Sequence, residues 1–201
     1  MPPSHSYLVR RSSDENVRLI LFAADDVRRV FAAALLSFAL LWAPPAWAGS
    51  VDVVLRSISA DGIGEPIGIV SALDSDQGLV IRPNLKGLPS GEYGFHLHSN
   101  GSCEPSLNSE GVRVAGLKAG GHWDPDKTGT HAGPFGNGHR GDLSRLVVEA
   151  DGSTSTDVVA PRLVVDDLSG RALVLHAGGD TYTDTPPLGG GGARAACGVA
   201  G

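Results

Sequence analysis

The stretch Val51-Asp52-Val53-Val54-Leu55-Arg56 decides how this 201-residue chain is read. Val51, Val53 and Leu55 alternate with Asp52, Val54 and Arg56, the period of a half-buried strand running to about Ser59. Asp61-Gly62 supplies a turn, and Ile67-Gly68-Ile69-Val70-Ser71-Ala72-Leu73 reads as a second strand. Working outward, Asp76-Gln77-Gly78 turns into a strand at 79–82, and Ser90-Gly91 leads into Tyr93-Gly94-Phe95-His96-Leu97-His98. Further strands are predicted at 144–150, 155–159, 172–176 and 194–199, punctuated by Asp151-Gly152 and Ser169-Gly170. Eight short strands without a strong helical repeat predict an all-β domain, a sandwich or flattened barrel. The 28 glycines and 13 prolines, set against few aromatics, fit a fold of many turns.

Two stretches break that rhythm, 99–143 and 177–193. Loops of such length inside a compact domain usually carry function. Six of the seven histidines lie between residues 96 and 176. They stand as His96-Leu97-His98, Gly121-His122-Trp123-Asp124-Pro125, His131, His139 with Asp142 three residues on, and His176 with Asp180 four residues on. On a strand, His96 and His98 point to one face. Six imidazoles and a carboxylate offer more donors than one tetrahedral site can use, so two neighbouring metals are the economical reading. A zinc hydrolase is the competing metal chemistry. It needs three ligands and an open water position, and no general base stands paired with these motifs.

Residues 1–48 read as a leader. The apolar run from Val30 to Leu41 follows Arg28-Arg29 and ends in Ala46-Trp47-Ala48, the pattern of a secretory signal peptide at about 27–48 cleaved after Ala48. Residues 1–26 are polar and aperiodic, which suggests a start codon placed too early. Mature residues 49–201 then form one domain, periplasmic or secreted. No cysteine stands at the cleavage point, so no lipid anchor is expected there. Cys103 and Cys197 are the only cysteines; export favours a disulfide between them, with metal ligation as the alternative. Residues 49–201 hold eleven Lys and Arg against eighteen Asp and Glu. That balance argues against nucleic acid or an anionic membrane as partner.

The histidine motifs, with Cys103, Arg194 and Cys197, resemble the copper/zinc superoxide dismutase family of the bacterial secreted type, over nearly all of 51–201. The resemblance implies a Greek-key β-barrel with two functional loops, binding one copper and one zinc per chain. It implies copper on His96, His98, His122 and His176, and zinc on His122, His131, His139 and Asp142, with His122 as a catalytic bridge. Asp180 would join a copper histidine to a zinc histidine by hydrogen bonds. Gly189 to Gly192 would form a close approach that lays Arg194 over the copper, where the arginine guides the anion; the run lacks the lysine and helix of a phosphate-binding loop. Both thiols match the family's disulfide. The implied reaction turns superoxide into oxygen and hydrogen peroxide. A homodimer and a monomer both stay open. Residues 177–193 contain no lysine, so Lys118 and Lys127 are the candidates for supplementary steering charge. The alternative is a non-enzymatic periplasmic copper-binding protein on the same fold, which would be expected to lack the zinc set or the arginine; this chain keeps both.

Overall fold

Strand β1 (Ser50–Ser59) buries Val53 and Leu55 and exposes Asp52, Val54 and Arg56, as the alternation predicts. Its pairing with β2 (Gly62–Ser75) shifts register between Leu55 and Ile58, and Ile58 is buried outside the barrel core, packed with Cys103, Ala119, Val174 and Cys197 beneath the first long loop. The computed structural model describes residues 49–154 and 156–201; the signal peptide and start-site readings fall outside them. β3 (Gly78–Leu85), β4 (Gly91–His98), β5 (Ser106–Leu107), β6 (Arg113–Val114), β7 (Leu146–Val148), β8 (Val158–Ala160), β9 (Ala172–His176) and β10 (Arg194–Val199) follow.

Eight of these strands form one antiparallel sheet in the order β7-β4-β9-β10-β1-β2-β3-β8. Its two edges, β7 and β8, are consecutive in the chain, and the sheet curls into a nearly closed barrel. The connections β3 to β4 and β8 to β9 skip over neighbours, giving the Greek-key path. All eight strands were expected, but β7 and β8 are only three residues each, and β2 starts earlier than predicted. The β5–β6 hairpin, a 3₁₀ turn at Leu117–Ala119 and another at Pro187–Gly190 lie within the two long loops and carry no apolar period that could announce them. Among the described residues no helix is long and apolar enough to cross a membrane.

What positions the site is that β4 and β9 are buried on both faces. Tyr93, Phe95 and Leu97 of β4, with Leu173 and Leu175 of β9, point into the barrel core beside Val53, Leu55 and Ile81. Each such side chain contributes about 1.5–3 kcal/mol through burial. The alternate residues, His96, His98, Val174 and His176, point out of the barrel and are still buried, because the long loops fold over them. The period that fills the core therefore also sets three histidines in one row on the barrel wall.

Candidate metal centre

In the β4–β9 ladder His98 stands opposite Ala172, His96 opposite Val174, and Gly94 opposite His176. Gly94 leaves room for the rings: a Cβ there would lie 3.2 Å from His96 Cε1 and 3.4 Å from His176 Cβ. Beyond β7 the free edge of β4 is taken by the first long loop. Trp123 N–H donates to the Leu97 carbonyl and Leu97 N–H to the Gly141 carbonyl, both at 2.8 Å. These bonds set His122 beside His98 and Asp142 beside His96. Gly141 is obligatory for that approach, since a Cβ would sit 2.2 Å from the Leu97 oxygen.

Two donor sets result. His96, His98, His122 and His176 bring one ligand atom each within 4.8 Å of one another, as do His122, His131, His139 and Asp142. His122 belongs to both, as the resemblance implies. In the first set, His98 Nδ1 donates to the Gly120 carbonyl (2.9 Å) and His176 Nδ1 to the Gly192 carbonyl (3.2 Å). Their Nε2 atoms then face each other as bare acceptors at 3.2 Å. Two lone pairs at that distance repel unless a cation lies between them. In the second set, Nδ1 of His122, His131 and His139 converge on Asp142 Oδ1 at 2.9, 2.9 and 3.2 Å.

Asp180 joins the sets. Its Oδ2 accepts from His96 Nε2 and its Oδ1 from His131 Nε2, both at 2.8 Å. This grouping of His96, His131 and Asp180 is a hydrogen-bonded bridge that spends the outer nitrogens and leaves each Nδ1 free. His96 Nδ1 and His131 Nδ1 are indeed buried without a hydrogen-bond partner. His131 Nδ1 lies close to Asp142 Oδ1 but out of hydrogen-bonding alignment, the arrangement of two atoms aimed at a common third. The residues fit a copper and a zinc.

Charge agrees with geometry. Burial above all pushes the His96 imidazolium down to about 3 and His176 to about 4, and lowers His98 and His122 as well. Rings kept unprotonated are ready to ligate. His131 goes the other way: burial alone would lower it, but the Asp142 and Asp180 carboxylates outweigh burial and raise it to about 9. Asp142 and Asp180 resist burial through their histidine partners and stay well below the usual carboxylate range.

Arg194 pairs in register with His176 across β9–β10. Its guanidinium donates to the Gly116 and Gly120 carbonyls and is partly buried. Its positive charge helps to keep His98 and His176 unprotonated. Cys103 and Cys197 form the expected disulfide, with Cα atoms 5.7 Å apart, tying the first loop to β10 three residues beyond Arg194. Within the glycine run one residue makes a close approach to the site. Gly189, at φ +73°, lies so near Asp180 that a Cβ would stand 2.2 Å from Oδ1. Lys118 is exposed on the 3₁₀ turn between the two carbonyls that hold Arg194. Lys127 is exposed in a turn whose Thr128 and Gly129 N–H groups donate to Asp124, and no contact brings it to the histidines.

Sequence reasoning missed the groups that hold the ligands from behind. Arg162 donates to the His139 carbonyl (2.7 Å) and the Gly138 carbonyl (2.8 Å), fixing the backbone of one histidine of the second set. Arg145, Tyr182 and Asp184 do the same around His131 and Asp180. None stands in a local motif, so only the tertiary fold reveals them.

The comparisons with known proteins agree with this geometry. The profile of the family described as Copper/zinc superoxide dismutase (SODC) matches residues 67–200. The Escherichia coli (strain K12) protein named Superoxide dismutase [Cu-Zn] is 48% identical over 168 residues, 83% of this chain and 96% of that protein. The solved Cu/Zn superoxide dismutase from Brucella abortus is 46% identical with a TM-score of 0.73, covering 75% of this chain and 99% of that one. The solution structure of the monomeric copper, zinc enzyme from Salmonella enterica is 49% identical, with a TM-score of 0.69 over 76% of this chain and 100% of that chain. With its barrel, its shared histidine and its two donor sets, this chain belongs to the copper/zinc superoxide dismutase family.

Proposed function

We propose that His96, His98, His122 and His176 hold the copper of this superoxide dismutase, that His122, His131, His139 and Asp142 hold its zinc, and that Arg194 docks the anion. The observation that carries the assignment is His122, the one ring that belongs to both donor sets. The reaction consumes two superoxide anions and two protons and yields dioxygen and hydrogen peroxide. Copper, when bound, would supply the one-electron couple, and zinc a fixed positive charge beside it.

The chain's own residues do the rest. His122 turns Nδ1 toward Asp142, so Nε2 is the atom left to the copper side and the place where a consumed proton can be held. Asp180 orients His96 and His131 together through its two oxygens. Arg194, anchored on two carbonyls, presents a fixed cation whose orientation costs no reorganisation when superoxide arrives. The domain outside residues 1–48 is net negative, so attraction of an anion must be local to this mouth. Lys118, beside the anchoring carbonyls, is better placed than Lys127 to add to it.

Every ligand comes from one chain, so the site needs no second copy, and a homodimer would be an addition to a complete centre. The disulfide suits an oxidising compartment and supports export to the periplasm or outside the cell, with the signal peptide ending at Ala48.

His176→Ala tests the assignment. It should lose copper and superoxide consumption while keeping zinc, because His176 belongs to the first set alone. A copper-free variant with undiminished activity would remove the copper role from these histidines.

A further inference from the structure

The second long loop fastens the first at three alternate residues, 180, 182 and 184. Asp180 reaches the His131 ring, as described. Both carboxylate oxygens of Asp184 accept from the His131 main-chain N–H, at 3.1 and 3.2 Å. His131 is thus held at both ends by one loop: its ring by Asp180, its backbone by Asp184. Between them Tyr182, at φ +57°, packs against Gly133, where a Cβ would lie 2.8 Å from its Cγ and 2.9 Å from its Cδ1. The Tyr182 hydroxyl accepts from Arg145 N–H (3.0 Å), and the Tyr182 N–H donates to Asp180 Oδ1 (2.7 Å). Arg145 completes the clasp. Its guanidinium donates to the Asp180 carbonyl (3.1 Å), lies 5.5 Å from the centre of the Tyr182 ring, and pairs with Glu92 of β4 (3.2 Å).

We propose that Tyr182 and Asp184 are positioning residues for the zinc side of the centre. They fix where His131 presents Nδ1, and so govern how long zinc is retained, while His96, His98 and His176 stay anchored on β4 and β9. The inference rests on the reading of His131 as a zinc ligand. Its physical basis is the difference between the sets. His96, His98 and His176 sit on strands whose ladders hold them. His131 sits in a loop, and the backbone N–H that fixes it has carboxylate oxygens from another loop as its acceptors. A non-Gly residue at positive φ, kept with its ring against a glycine, is a strained arrangement that the surrounding contacts must over-determine.

The test uses the full folded chain in its metal-free form, reloaded with Co(II) as a spectroscopic substitute for zinc, and separately with copper and zinc. Zinc release to a chromophoric chelator is followed for wild type, Asp184→Ala, Asp184→Asn, Tyr182→Phe and Tyr182→Ala, with Asp142→Ala as the ligand control. Loss of an outer hydrogen bond at a metal ligand typically costs about 10–100-fold in metal affinity. Asp184→Ala and Tyr182→Ala should therefore release zinc at least about tenfold faster. Their Co(II) absorption should change, while copper content and the copper absorption stay as in wild type. Asp184→Asn, which keeps one acceptor oxygen, should fall between Ala and wild type, and it carries the test if the alanine variants fold poorly. Wild-type release rates in the Asp184 and Tyr182 variants, alongside zinc loss in Asp142→Ala, would overturn the clasp and leave the ligand assignment standing. Zinc retained by Asp142→Ala would overturn the ligand assignment and the clasp with it.

Discussion

His98 and Arg194 share one acceptor: the Gly120 carbonyl oxygen takes the His98 Nδ1–H at 2.9 Å and a guanidinium N–H of Arg194. Gly120 sits at φ +79°, and a Cβ there would meet Asn100 Nδ2 at 2.9 Å, so glycine suits the turn that aims this oxygen. The side chain proposed to dock the anion and a histidine of the first donor set are thereby fixed relative to each other through a single atom.

Replacing Arg194 by Ala should leave both metals bound and lower kcat/KM by about tenfold or more, since local fields raise on-rates by that order. The wild-type rate should fall with ionic strength, because exposed fields are screened over about 8–10 Å, and the Ala variant should respond less. Arg194→Glu should be slower still. Equal rates in all three proteins would reduce Arg194 to an anchor for the first loop.

Acid should destabilise the metal-free protein before it touches the carboxylates. His96 and His176 fall from 6.5 to about 3 and about 4 in the folded state, so the unfolded chain binds the extra protons. Their destabilising effect is absent above pH 6.5 and grows as pH falls toward 4. His131 acts oppositely: raised to about 9, it contributes stability fully below 6.5 and loses it as pH rises to 9. Asp142 and Asp180, both depressed, withdraw stability only below 3.8. Melting temperatures of metal-free protein measured from pH 4 to 9 should peak near neutrality. A flat profile between 6.5 and 4 would contradict the burial of neutral rings.

Reduction of Cys103–Cys197 should lower the melting temperature and raise the mobility of the loop that carries Gly116 and Gly120. The cross-link spans 94 residues, for which chain entropy gives about 4–5 kcal/mol. Calorimetry of oxidised and reduced protein measures this directly, and coincident melting curves would refute it.

Much of the centre was legible because one periodicity serves two purposes. In Tyr93-Gly94-Phe95-His96-Leu97-His98 the apolar residues fill the barrel, so the histidines between them had to share the outer face. The same holds for Leu173, Leu175 and His176 on β9. That His122, His131, His139 and Asp142 come together in one donor set followed from their motifs and from the resemblance. Arg162 was not legible, because it reaches His139 by its carbonyl, and nothing in a sequence says which carbonyl a distant arginine will find. Tyr182 and Asp184 stayed hidden for the same reason: their role lies in loop-to-loop contacts, while the local pattern shows only a polar connection. The short strands β7 and β8 were overestimated because alternation continues past the point where a partner strand exists.

The most direct test of the central claim is metal content measured together with superoxide consumption on purified protein, before and after selective copper removal. Two donor sets sharing His122 predict one copper and one zinc per chain. They also predict that activity vanishes with copper, returns when copper is restored, and leaves zinc in place throughout. A single metal per chain, or superoxide consumption that survives copper removal, would contradict the account.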